Sequence, residues 1–346
     1  MTKKIFIIGG YGFGNLGDEA VLSVIIKRLR KTKDDTKITV LSHDPEETRR
    51  FHSVNACSPL KTLLEVVRSD EIIIGGGEVI TYHKKPWFVY LVACISFVSI
   101  IKFFEKRKQL RFSDIGVRPI SNIMPKIILS KLMGFADTIS VRDISEEEFR
   151  AIGVKKEFKV VPDPALDLEP TDPETACEML HQQGVDTSRF LVGLSIASVK
   201  TEEFNQRLVK FMPQVVDWLA SHTNIQIVFI STSNHKYRNR EKDLLMAERL
   251  YQKTACKENF KILRGQYSPK DIEAIIGQMN LLIVMRLHPL ILAHNMKVPS
   301  ICITYYARVK SFCKLYPQEK IAIEALDFEG LKEKIMPKIV SCIKCL

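Results

Sequence analysis

Arg286 and His288 stand one residue apart directly after the apolar run Leu281 to Val284, in the order Met285-Arg286-Leu287-His288. A guanidinium at the end of such a run is costly to bury unpaired, so Arg286 is expected to hold an anion. His288 beside it reads either as a general acid or as a satisfied structural histidine, and both stay open. Arg142 repeats the setting after Thr138 to Val141, with an anion or an ion pair to Asp143 or another acidic neighbour as the alternatives.

The second chemical centre lies near the start of the chain, in GGYGFGNLGDEA at Gly9 to Ala20. Its five glycines (Gly9, Gly10, Gly12, Gly14 and Gly17) let the backbone take positive φ and approach a ligand closely. Gly12 to Gly17 matches the dinucleotide pattern GxGxxG. In that motif, however, pyrophosphate sits on the helix N-terminus, where this chain places Asp18 and Glu19. Two carboxylates would repel it. They suit a hydroxylic ligand whose protons they accept, and each also stabilises a helix start by itself.

The elements that must position these residues follow from hydrophobic patterning. Short apolar runs at 5–8, 38–41, 71–74, 110–115, 138–141 and 158–161 alternate with helix-like stretches, and the pattern restarts at 190–196, 225–231, 261–263, 281–284 and 300–304. Such alternation predicts an α/β fold: two Rossmann-like, doubly wound domains facing a cleft, with ligands at the carboxyl ends of the strands. The chemistry-bearing residues fall at such ends. Gly75-Gly76-Gly77-Glu78 follows the third run, and Tyr305, Tyr306 and Arg308 follow the last. Pro162, Pro164, Pro170 and Pro173 mark the break between the halves. The expected organisation is an N-terminal domain over 1–165, a linker over 166–175 and a C-terminal domain over 176–346. The tail from Glu319 to Leu346 reads as helix packing back on the first domain.

The 346 residues exceed what one core usually serves, and 51 Lys and Arg against 40 Asp and Glu give a formal charge of +11. That excess favours an acidic small molecule, an anionic membrane surface or nucleic acid. No zinc-finger spacing, basic-aromatic sheet motif or helix-turn-helix signature supports nucleic acid. The N-terminus turns strand-like too quickly for a signal peptide, which points to the cytoplasm. Eight scattered cysteines, with Cys342 and Cys345 lacking a second pair, read as reduced thiols rather than a zinc site. The apolar stretch Trp87 to Phe104 is shorter than the ~20 residues a membrane span needs. A core helix fits best. The alternative is shallow contact with the cytoplasmic face of an anionic membrane, because Lys102, Lys106, Arg107 and Lys108 lie at its end.

Taken in order, GYGFGNLGDEA, EIIIGGGE, GVRPI at 116–120, SVRD at 140–143, PDPA at 162–165, MRLH at 285–288 and ITYYARV at 303–309 resemble the blocks of the polysaccharide pyruvyl transferase family. The likeness runs from about Lys3 to Lys310. It implies a GT-B-like architecture and transfer of pyruvate from phosphoenolpyruvate onto two hydroxyls of a sugar in a surface polysaccharide or its precursor, as a cyclic ketal. It also implies donor binding by Arg142, Arg286 and His288. Against the family's pattern, Arg118 replaces a glycine, and Tyr306-Ala307-Arg308 replaces an Asp-Pro-Lys run.

The resulting expectation places phosphoenolpyruvate on Arg142, Arg286 and Arg308, with His288 as general acid. The saccharide acceptor, free or lipid-linked, would meet Gly14, Asn15, Gly17, Gly76, Gly77 and Glu78, with Asp18 or Glu19 accepting its proton. No metal or organic cofactor is called for. The alternatives are a GT-B glycosyltransferase using a nucleotide sugar and a saccharide-binding protein without catalysis.

Overall fold

The computed structural model describes residues 2–32, 35–77, 85–105, 107–117, 122–199, 201–221, 224–234, 242–317, 320–323 and 337. Glu78, Arg118, Lys106, Cys342 and Cys345 lie outside them, as does most of the tail. The chain divides into two compact units, Met1–Leu168 and Glu169–Leu346.

In the first unit the order is β1 (Lys3–Tyr11), α1 (Leu16–Thr32), β2 (Thr36–Ser42), α2 (Pro45–His52), β3 (Asn55–Cys57), α3 (Thr62–Arg68), β4 (Glu71–Gly75), α4 (Lys85–Phe104), β5 (Gln109–Gly116), α5 (Ile123–Met133), β6 (Thr138–Arg142), α6 (Glu146–Arg150) and β7 (Lys159–Val160). The strands form one parallel sheet in the order β3-β2-β1-β4-β5-β6-β7. The two-residue period of a strand sorts its side chains between the faces. Ile5 and Ile7 of β1, with Ile73 of β4, pack on Val21, Leu22 and Ile25 of α1. Phe6, Ile8, Ile72 and Ile74 point the other way, into a core shared with Leu91, Ile95 and Val98 of α4 and Leu129 of α5. The stretch read as a buried helix is therefore α4, and it covers the sheet. No helix among the described residues is long and apolar enough to cross a membrane.

The second unit runs α7 (Pro173–Gln182), β8 (Phe190–Ser195), α8 (Glu202–Ala220), β9 (Ile225–Phe229), α9 (Asp243–Lys253), β10 (Phe260–Ile262), α10 (Pro269–Gly277), β11 (Leu281–Val284), α11 (Leu287–Asn295), β12 (Ser300–Ile303), α12 (Ala307–Leu315) and β13 (Lys320–Ile323). Its parallel sheet has the order β10-β9-β8-β11-β12-β13. Val192, Leu194, Ile227, Phe229, Ile283 and Ile301 face Leu208, Met212 and Val215 of α8.

Both sheets are doubly wound. The succession of strands reverses between β1 and β4 in one and between β8 and β11 in the other, and such reversals open ligand crevices at the carboxyl edge. Two strands depart from the sequence reading. β3 is a three-residue edge strand, too short to show a period. Lys320–Ile323 is not helix but β13, pairing with β12 along Ser300 to Ile303. Its Ile-Ala-Ile run is short and β-branched, and the open edge of β12 supplies the partner that helix propensity leaves out of account.

The central strands carry the stability. Truncating Ile283, buried in β11, to alanine is expected to cost about 2–5 kcal/mol, read as a lower urea midpoint at unchanged m-value.

Candidate functional site

At the reversal in the first unit, the turns after β1 and β4 are locked together. Tyr11 is fully buried, and its hydroxyl donates to the carbonyl of Gly75. Burial first, and then the Asp18 and Glu19 carboxylates, push the phenol well above its ordinary pKa, so it stays a neutral donor. Gly12 and Gly14 take φ of +75° and +74°. A Cβ at Gly12 would collide with Ser42 Oγ and the backbone nitrogen of Asp44. Asn15 caps α1: its Oδ1 accepts from the N–H of Gly17 at 3.1 Å and its carbonyl from that of Glu19 at 3.2 Å. Its amide Nδ2 donates to Asp18 Oδ2 at 2.8 Å.

Asp18 lies directly against the second glycine turn. Gly76 and Gly77 take φ of +74° and +71°, and a Cβ on Gly77 would fall onto the Asp18 carboxylate. The Gly77 carbonyl accepts from the N–H of Gly116 at 2.9 Å, which fixes the turn to β5. The two glycine turns and Asp18 therefore form one cluster.

The acidic pair separates into two environments. Asp18 is partly exposed, whereas Glu19 is buried. Glu19 Oε1 accepts from the N–H of Gly12 at 2.8 Å, and Oε2 lies 2.8 Å from His52 Nε2. His52 Nδ1 in turn lies 3.2 Å from Ser23 Oγ. Both oxygens of Glu19 thus brace the turn from within. His52 carried no local signal, since it is 33 residues away.

Arg142, at the end of β6, is buried among acids of its own unit. Its Nη1 donates to Asp163 Oδ2 and, at 3.0 Å, to Asp143 Oδ2. The other oxygen of Asp163 accepts from the N–H of Ala165 at 2.9 Å and caps the short 3-10 turn Pro164–Asp167. The SVRD and PDPA segments are therefore two halves of one ion pair. On the neighbouring strand Asp114, a non-glycine at φ +53°, accepts from Ser140 Oγ and from Arg28 Nη1, each at 2.8 Å.

At the reversal in the second unit, Arg286 occupies the N-cap position of α11. Its Nη2 and Nε donate to Asp243 Oδ1 at 2.7 and 3.2 Å. Asp243 is 1% exposed. Its Oδ2 accepts from the Thr232 and Ser233 N–H groups at 3.1 and 2.9 Å and from Thr232 Oγ1 at 3.2 Å. That carboxylate sets the plane of the guanidinium while leaving the Arg286 side chain 24% exposed. Sequence reasoning passed over Asp243, which lies 43 residues before Arg286 with no motif to mark it.

His288 stands in the first turn of α11 and Arg308 in the first turn of α12. β11 and β12 are adjacent and parallel, so both helices begin at the same edge of the sheet. Neither first turn contains an acidic residue. A guanidinium such as that of Arg308 at a helix N-terminus opposes the helix dipole, and a bound anion relieves that opposition. Tyr306, the N-cap of α12, supplies no capping hydrogen bond from its side chain. Arg286, His288 and Arg308 thus share the carboxyl edge of the second unit, whereas Arg142 belongs to the first.

A family model described as polysaccharide pyruvyl transferase matches residues 15–306. Among curated proteins none matches the sequence significantly. Among solved structures, the UDP-GlcNAc 2-epimerase from Methanocaldococcus jannaschii is similar at 15% identity and a TM-score of 0.63, covering 96% of this chain and 91% of that one. A glycosyltransferase from Rickettsia africae is similar at 11% identity and 0.58, covering 99% and 89%. The E. coli ADP-heptose lps heptosyltransferase II follows at 13% and 0.51, covering 92% and 90%. At these identities the likeness is one of fold, the GT-B type.

Two substitutions test the geometry. Asp163→Ala strips Arg142 of its buried partner and should cost about 3–5 kcal/mol; an unchanged urea midpoint would contradict the pairing. Gly77→Ala combines a left-handed φ with a clash on Asp18 and should cost about 1–3 kcal/mol, with a lowered melting temperature as its readout.

Proposed function

The chain belongs to the polysaccharide pyruvyl transferase family, and from that premise we propose that it moves pyruvate from phosphoenolpyruvate onto two hydroxyls of a sugar in a surface polysaccharide or its precursor. The observation that carries the reading is the set of basic side chains at the carboxyl edge of the second unit. There Arg286 is held by buried Asp243, beside His288 and Arg308 at two helix N-termini. Phosphoenolpyruvate bears a phosphate and a carboxylate, and guanidinium forks match both. Tyr306 stands at the start of α12 where the family's pattern has an aspartate. Arg308 in place of lysine retains the positive charge.

The chemistry assigned to the residues is an addition followed by a substitution. His288 protonates the methylene carbon of phosphoenolpyruvate, C3, so that C2 becomes electrophilic. A sugar hydroxyl bonds to C2 and gives up its proton to a general base. The C2–O bond to phosphate then breaks, and inorganic phosphate leaves. A second hydroxyl bonds to C2 and closes the ketal. One hydroxyl proton is thus balanced by the new methyl group and the other by the released phosphate. In this scheme Gly14, Asn15, Gly17, Gly76 and Gly77 bring the acceptor close to Asp18, while Glu19 keeps the turn in shape. No metal or organic cofactor takes part, and EDTA should leave turnover unchanged.

The decisive measurement is phosphate released when protein, phosphoenolpyruvate and candidate saccharides are mixed. His288→Ala should lower turnover about 10²–10⁴-fold while preserving the thermal shift caused by phosphoenolpyruvate. Arg286→Ala should weaken donor binding by about 2–5 kcal/mol. A thermal shift with nucleotide sugars and none with phosphoenolpyruvate would replace this reading with glycosyl transfer, and a shift with neither would favour saccharide binding without catalysis.

A further inference from the structure

Helix α4 is apolar on both sides. Its inner stripe, Phe88, Leu91, Ile95 and Val98, is buried in the core of the first unit. Its outer stripe is Val89, Ala93, Ser96, Ile100, Phe103 and Phe104, spaced i, i+4, i+7, i+11, i+14 and i+15, without a charge. A helix that meets only water carries polar residues on that side.

The neighbouring helices extend this surface. α5 and its following turn expose Ile123, Ile127 and Phe135, and α3 with the turn before it exposes Leu60, Leu64 and Val67. Twelve of the sixteen large exposed hydrophobic residues described lie on these three helices and their turns; the others are Val160, Leu245, Tyr306 and Leu315. Most of the described apolar exposure thus lies on three helices of one unit, with α4 in contact with both α3 and α5, and such clustering differs from surface residues scattered singly.

The area has an aromatic end. Phe103 and Phe104 are 75% and 79% exposed, with ring centroids 5.4 Å apart. Lys102 Nζ donates to the Phe135 carbonyl at 3.0 Å and to Asp137 at 2.6 Å. That clamp holds the Phe135 turn against the end of α4. Around the apolar area Lys61, Arg68, Lys102, Arg107, Lys126 and Lys131 outnumber Glu65, Asp70, Glu105 and Asp137.

Aromatic and aliphatic side chains inside a basic rim match the boundary between headgroups and acyl chains of an anionic bilayer. A symmetric dimer through the same face would set that rim against itself. We propose that the outer face of α3, α4 and α5 docks on an anionic membrane surface, with Phe103, Phe104 and Phe135 entering the interface and the lysines and arginines meeting lipid phosphates. The contact is peripheral, since no described helix can span.

Co-sedimentation of the full chain with vesicles tests this. Vesicles of phosphatidylcholine with phosphatidylglycerol should bind the protein at least about tenfold more strongly than phosphatidylcholine alone. The double substitutions Phe103→Ser with Phe104→Ser, and Arg107→Glu with Lys131→Glu, should each lower binding about tenfold, with circular dichroism melting as the check on folding. Phe104→Trp keeps the face apolar and should shift its emission to shorter wavelength on anionic vesicles. Absence of binding to anionic vesicles at low salt, binding indifferent to the phenylalanine pair, or unshifted emission would each overturn the proposal. A lipid-free dimer that the phenylalanine pair dissolves would overturn it too, and would assign the face to a second copy.

Discussion

In an all-parallel sheet every strand delivers its carboxyl end to the same edge, and where the succession of strands reverses, the loops leaving two adjacent strands diverge. This constraint acts twice in the chain, between β1 and β4 and between β8 and β11. It places the Gly9 to Gly17 turn beside Gly75 to Gly77 in one unit. In the other it sets Arg286 and His288 at the carboxyl end of β11, on the same sheet edge as Arg308, which follows the adjacent strand β12. Chemistry-bearing residues far apart in sequence meet because the winding leaves those loops in one place. The sheet cores hold the edges still, since Ile5, Ile7, Ile73 and Ile283 are sealed by helices.

Buried charge distinguishes the two edges. Arg142 and Arg286 each follow an apolar strand, yet they serve different ends. Arg142 is 1% exposed and is balanced by two carboxylates, Asp143 and Asp163. Arg286 is held by the buried carboxylate of Asp243 and remains partly exposed. A buried ion pair is weak evidence for stability but strong evidence for fixed geometry, because removing one partner leaves a charge in a poor medium. The same logic applies to Glu19. Braced between the Gly12 amide and His52, it shapes the turn that presents its neighbour Asp18.

α4 illustrates how one helix can satisfy two requirements. Its inner stripe closes the sheet, and for that purpose alone a polar outer stripe would serve as well. The outer stripe is apolar nonetheless, and α3 and α5 expose Leu64, Val67, Ile123 and Ile127 beside Arg68 and Lys131. The second unit, whose α8 buries Phe204, Leu208, Met212 and Val215 on one side, shows nothing comparable among its described residues. The difference between the units lies in their surfaces, not in their winding.

Properties set by neighbouring residues were legible in the sequence alone. Strand runs, glycine turns, the Asp18 and Glu19 helix start and the position of Arg286 and His288 at a strand end depend on local backbone preference and hydrophobic period, and the ordered blocks identified the family. Tertiary structure decided the partnerships. Asp163 is 21 residues from Arg142, His52 is 33 from Glu19 and Asp243 is 43 from Arg286. The short edge strands β3 and β13 likewise exist only because a neighbouring strand offers them hydrogen bonds. A carboxylate in a polar stretch looks the same in sequence whether it faces water or neutralises a buried guanidinium. The fold alone brings the second group within about 3 Å, the range at which hydrogen bonds form.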